Sequence, residues 1–115
     1  LVDRYEIEPI AVDLTLENLR NEPQIIANFE AEFQKHSQIK AFIINHMPVM
    51  LPIVFPVAEL VNLAKKHNAI SIVDGAHCVG QIPINISKID PDFYFSTCHK
   101  WLFAPRGSSF LYTNP

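Results

Sequence analysis

Asp74, His77, Thr97, His99 and Lys100 are the residues of this sequence whose types and spacing could do chemistry. Asp74 ends the apolar run A-I-S-I-V-D, and Lys100 closes a second run, D-F-Y-F-S-T-C-H-K. Runs such as Ile70–Val73 and Phe93–Phe95 are rich in β-branched and aromatic residues and too short for helices, so they read as buried strands. If the two strands lie parallel in one sheet, Asp74 and Lys100 emerge at the same carboxyl edge, where open α/β sheets bind ligands. A lysine amine there can form a Schiff base with an aldehyde, and a carboxylate can hold a ring nitrogen protonated. Thr97 and His99 flank the same strand end with a hydroxyl and an imidazole, both suitable donors to a phosphate. His77, just past Asp74, can face a ring or its phenolic oxygen.

This set of groups suits pyridoxal phosphate, whose protonated ring withdraws electrons from a substrate's α-carbon. The segments V-D-G-A-H-x-x-G-Q-I-P, then D-F-Y, then C-H-K-W-L-F-A-P-R-G-S-x-F-L-Y, in this order and separation, resemble the class V aminotransferase family of pyridoxal-phosphate enzymes. The flavour is isopenicillin-N-epimerase-like, with cysteine desulfurases as more distant relatives. The resemblance is strong from Val73 to Tyr112 and weaker before that. It implies an α/β fold: part of the mainly parallel sheet of a fold-type-I large domain, with helices packed on it. It implies that Lys100 holds the cofactor and acts as general acid/base at the α-carbon. Asp74 would pair with the pyridine nitrogen, His77 would sit at the phenolic oxygen, and Thr97 and His99 would contact the phosphate. An amino-acid-type substrate follows, with epimerisation, β-elimination such as C–S cleavage, or amino transfer as the outcome. A homodimer is the assembly typical of the family. Its members are several times longer, with an upstream phosphate loop and a downstream small domain. The expectation is therefore that residues 1–115 form the middle of a large cofactor-binding domain.

Several elements must position these residues. Ile7–Val12 is a short apolar stretch that Pro9 demotes to an edge strand. Asp13–Glu22 reads as a loop with a helical turn. Asn21 and Pro23 mark a helix start, after which Ile25, Ile26, Phe29 and Phe33 fall on one helical face. Ala41–Ile44 is a continuous apolar strand ending in Asn45 and His46, the latter expected as a loop histidine bonded to backbone. Met47–Pro56, with prolines at 48, 52 and 56, must be a loop, and Met50, Leu51 and Phe55 could wall a pocket. Val49 falls where the family keeps a side chain able to hydrogen-bond, which valine lacks. Pro56 can start the next helix, with Leu60, Val61, Leu63 and Ala64 inward. Lys65, Lys66 and His67 fill its last turn, the two lysines as solvated surface, and Asn68 suits a left-handed end. Strand–helix–strand–helix–strand from Ile7 to Val73 implies parallel crossovers. Gly75 and Gly80 free the chain after Asp74, Asp90-Pro91 turns it toward Phe93, and Ser109–Tyr112 returns as an antiparallel strand.

Composition narrows the function classes. The 115 residues are 49% hydrophobic and 18% charged, as in a globular domain with a buried sheet. A formal net charge of −3 gives no footprint for nucleic acid. No apolar run approaches the roughly 20 residues of a membrane-spanning helix, and no signal peptide is visible. A cytoplasmic location is the expectation. The two cysteines, Cys78 and Cys98, make no disulfide framework and read as reduced thiols. A zinc site using both with nearby histidines would lack a compact C-x-x-C signature. A metal hydrolase built on Asp74, His77 and His99 explains Lys100 poorly, because a cation beside a metal is unfavourable. No G-x-G-x-x-G follows a strand, which weighs against dinucleotide binding. A truncated, non-catalytic member of the fold, acting as a binding or interaction module, is the alternative function.

Overall fold

The computed structural model describes residues 2–115. It opens with a short helix α1 (Val2–Tyr5) and reaches a 3-10 turn at Asn18–Arg20. Helix α2 (Glu22–Lys35) begins where the sequence marks it: the Asn21 side chain accepts from the Gln24 amide, and Pro23 lies in the first turn. Ile25, Phe29 and Phe33 are its buried stripe. Strand β1 (Ala41–Asn45) follows, then a proline-broken loop and helix α3 (Val57–Lys66). Helix α3 buries Val57, Leu60, Val61, Leu63 and Ala64. Asn68 takes a left-handed conformation, φ 55°, just beyond it. Strand β2 (Ile70–Asp74), the short helix α4 (Ile86–Ile89), strand β3 (Phe93–Thr97) and strand β4 (Ser109–Thr113) complete the chain.

The four strands form one sheet in the order β1-β2-β3-β4, the first two pairings parallel and the last antiparallel. Alternation along each strand gives the sheet two unlike faces. Phe42, Ile44, Val73 and Tyr94 point to one face and share a core with α2 and α3. Ile43, Ile70 and Leu111 lie on the opposite face and are exposed.

The expected edge strand at Ile7–Val12 does not form. Pro9 lacks an N–H to donate, and the preceding Glu6 sits at φ 52°, which turns the chain out of extended conformation. The sheet therefore begins at β1. Lys65 is also not free solvated charge. It pairs with Asp90 in the left-handed turn before β3, tying the end of α3 to that strand. Phe55 enters the core, while Met50 at the loop tip is 86% exposed, so these two do not wall a common pocket. Among the described residues no helix is long and apolar enough to cross a membrane.

Candidate functional site

The parallel register sets Asn45, Asp74 and Phe95 side by side at the carboxyl edge, with Thr97 further along the same rim. By strand alternation Asn45, Asp74 and Thr97 face the open side of the sheet. The Asp74 carboxylate is oriented by its own turn: Oδ1 accepts from the Ala76 amide at 2.8 Å. The backbone there is clamped from both neighbours. The His46 amide donates to the Asp74 carbonyl at 2.8 Å, and the Gly75 amide donates to the Phe95 carbonyl at 2.8 Å. Ser96 Oγ then donates to the Gly75 carbonyl at 3.1 Å.

Two glycines let this turn and the next approach each other. A Cβ on Gly75 would stand 2.3 Å from the Tyr94 ring, so Gly75 is required for space and not, as its position in the sequence suggested, for backbone freedom. Gly80 has φ 92°, and a Cβ there would stand 2.6 Å from the Trp101 carbonyl oxygen. The turn after β2 and the turn after β3 therefore pack backbone to backbone. Lys100 Nζ lies 2.9 Å from His77 Nε2 across that seam. With a protonated amine the lysine donates, which requires His77 in the tautomer protonated at Nδ1.

The structure thus brings His77 and Lys100 into contact and places Asp74 and Thr97 on the same edge. His99 is exposed on the turn that carries Lys100. Thr97 Oγ1 is buried and, among the described residues, has no hydrogen-bond partner, an arrangement that needs a reason because buried hydroxyls are almost always paired. Val49 is exposed in the loop after β1. Cys78 is fully buried beneath Asp74, and its thiol is pushed up to about 12, first by burial and then by the Asp74 charge, so it stays protonated. Both cysteines are free. Among the described residues no group of three from His, Cys, Asp and Glu is placed to hold a metal ion.

One pair escapes a reading of the sequence. His46 is buried, and its ring does not bond to backbone as expected for a loop histidine. Its Nδ1 lies 3.0 Å from Tyr94 Oη on the covered face. The signal was the inward alternation of Phe42, Ile44 and His46, which the expectation of a loop after Asn45 interrupted.

Comparison with known proteins places the family and the fold. The family described as Aminotransferase class-V matches residues 14–115. Hercynylcysteine sulfoxide lyase of Schizosaccharomyces pombe is 45% identical over 78 residues, covering 68% of this chain and 20% of its own length. Isopenicillin N epimerase of Streptomyces clavuligerus is 37% identical over 76 residues, covering 66% and 19%. The structure of a cystine C–S lyase with its product cysteine persulfide matches with a TM-score of 0.72 at 28% identity, over 78% of this chain and 24% of that one. The apo cysteine desulfurase of Thermococcus onnurineus gives 0.70 at 28%, over 77% and 22%. The chain spans about a fifth of the length of curated relatives such as the lyase. With the family matched across nearly the whole chain and a mainly parallel sheet that carries Asp74 and Lys100 to one rim, this chain belongs to the class V aminotransferase family.

Proposed function

We propose that residues 1–115 are part of a large, cofactor-binding domain and carry the aspartate-and-lysine edge of a pyridoxal-phosphate site. The observation that carries this is the edge itself. It holds a lysine amine paired to an imidazole and not to a carboxylate, an aspartate using one oxygen on its own turn, and a buried threonine hydroxyl without a partner. These groups fit the cofactor's aldehyde, ring nitrogen and phosphate respectively. A phosphate docked at this rim would satisfy the Thr97 hydroxyl, whose desolvation otherwise costs about 1–3 kcal/mol.

When bound, pyridoxal phosphate supplies the electron sink that makes a substrate's α-proton acidic. In this proposal Lys100 would hold the cofactor and would move the proton at the substrate's α-carbon. Asp74 keeps a proton on the ring nitrogen. His77, in reach of the lysine, would lie at the phenolic oxygen, and Thr97 and His99 would hold the phosphate. The reaction is at the α-carbon of an amino-acid-type substrate in a homodimeric enzyme. Relatives named as sulfoxide lyase, L-cysteine desulfhydrase and cystine C–S lyase favour C–S cleavage. The isopenicillin N epimerase relative favours epimerisation as the second reading.

The test is covalent. The full-length protein is reconstituted with pyridoxal phosphate, reduced with borohydride and mapped by peptide. The label is expected on Lys100. Label on Lys88 or another lysine, with Lys100 bare, overturns the assignment.

A further inference from the structure

The open face of the sheet presents Asp74, and side chains that support its backbone lie on the covered face. We propose that His46 and Tyr94 form a positioning pair that holds the Asp74–Gly75 peptide from beneath. The inference rests on Asp74 being the ring-nitrogen partner.

Three contacts converge on Asp74 and Gly75, and a fourth joins His46 to Tyr94. The His46 amide donates to the Asp74 carbonyl at 2.8 Å, while the His46 ring reaches Tyr94 Oη at 3.0 Å. The Tyr94 ring lies so close beneath Gly75 that no side chain fits between them. Ser96, on the same face of β3 as Tyr94, donates to the Gly75 carbonyl at 3.1 Å. The tyrosine is itself held, with its ring stacked at 6.4 Å on Phe110 and edge-on to His46 at 6.0 Å. A shift of Tyr94 therefore moves Gly75, and a shift of His46 moves Asp74. Coupled hydrogen bonds of this kind, closed on both partners, give one rigid arrangement.

The pair carries no charge at neutral pH. Burial lowers the pKa of His46, and it raises that of Tyr94, with the Asp74 charge adding to the rise. An uncharged support leaves the Asp74 carboxylate free to answer a cation on the open face. Their side chains lie on the covered face, away from the face that presents Asp74, so His46 and Tyr94 are positioning residues.

The experiment uses Tyr94→Phe, which keeps the ring beneath Gly75 and strands His46 Nδ1. It is set beside His46→Asn, whose side-chain amide can still meet the Tyr94 hydroxyl. The first readout needs no cofactor: amide hydrogen exchange in the full-length apo protein. Ala76, whose N–H binds the Asp74 carboxylate, should exchange roughly tenfold faster or more in Tyr94→Phe. Amides of α3 should keep their rates, and His46→Asn should stay near wild type. An unchanged Ala76 rate, or an equal rise throughout α3, overturns the proposal, the latter by showing a merely structural role. The second readout is pyridoxal-phosphate affinity together with the pH profile of the bound cofactor's long-wavelength absorbance. Tyr94→Phe should weaken binding roughly tenfold and shift that profile, and His46→Asn should preserve both. Faster Ala76 exchange with affinity and profile unmoved overturns the link to the cofactor. A wild-type protein that fails to bind pyridoxal phosphate sinks the proposed function instead, and the exchange readout still decides whether the pair positions Asp74.

Discussion

Strands β2 and β3 carry an aspartate at each end of their pairing, and the two are treated in opposite ways. Asp92 stands just before β3 at the amino edge. Its Oδ2 accepts from both the amide and the hydroxyl of Ser71 at 2.7 Å, and its own amide donates back to Ser71 Oγ at 2.9 Å. Asp74 ends β2 at the carboxyl edge and uses Oδ1 on the Ala76 amide, one bond where Asp92 accepts two. Near it lie a lysine amine on an imidazole and an orphaned hydroxyl. Under the proposed function, the difference separates a structural carboxylate from one that faces a ligand. Asp92 is closed by the chain's own donors and ties two strands together. The edge around Asp74 is incompletely closed, and an incompletely closed polar edge on a rigid support suits a ligand.

That contrast can be broken most forcefully at Lys100. Lys100→Ala should abolish covalent cofactor retention and reduce turnover of the full-length protein by roughly 10²–10⁴-fold or more, measured by borohydride trapping and steady-state kinetics. Retained activity with no trapped cofactor would place the chemistry elsewhere. Asp74→Asn comes next. It keeps size and removes charge, so turnover should fall by about 10²–10³-fold. Its unfolding midpoint should move little, because the side chain is only partly buried.

Asp92→Ala should show the inverse. Losing its bonds to a fully buried Ser71 should cost about 1–3 kcal/mol in denaturant unfolding, with cofactor affinity unchanged. A drop in affinity without a drop in stability would erase the distinction between the two ends. The smallest expected effect is its pH dependence. The Ser71 side-chain and backbone bonds hold the Asp92 carboxyl below the usual carboxylate range. The folded pKa is depressed, so its stabilisation is fully present above the unfolded value near 3.9 and is lost as pH falls through the folded one. The stability gap between wild type and Asp92→Ala should therefore narrow on acidification below about pH 4. A gap independent of pH would mean that Ser71 bonds the protonated acid equally well.

The sequence made the supports legible and left their mutual approach hidden. Asn21, Pro23 and the Ile25, Phe29, Phe33 spacing were enough for α2, because capping and periodicity are local. The runs Ile70–Val73 and Phe93–Phe95 were enough for two strands, and their pairing is parallel, the condition under which Asp74 and Lys100 share an edge. Ile7–Val12 misled because an apolar run does not reveal that Glu6 turns the chain out of extended conformation ahead of Pro9. The resemblance singled out Lys100 and His77, but their contact depends on Gly80 lying against Trp101, a packing detail between two turns. The His46–Tyr94 bond joins residues 48 apart and needs the register of three strands, which no local pattern encodes.

Exchange of a substrate's α-proton with solvent tests the central claim most directly, because it isolates the step that the Asp74 edge is proposed to serve. It is measured by NMR in deuterated buffer on the full-length protein with bound cofactor, for wild type, Asp74→Asn and Asp92→Asn. The expected result is exchange slowed by about 10²–10³-fold in Asp74→Asn and unchanged in Asp92→Asn wherever that variant remains folded. Equal exchange in wild type and Asp74→Asn would contradict the account and leave Asp74 as a residue that only shapes its turn.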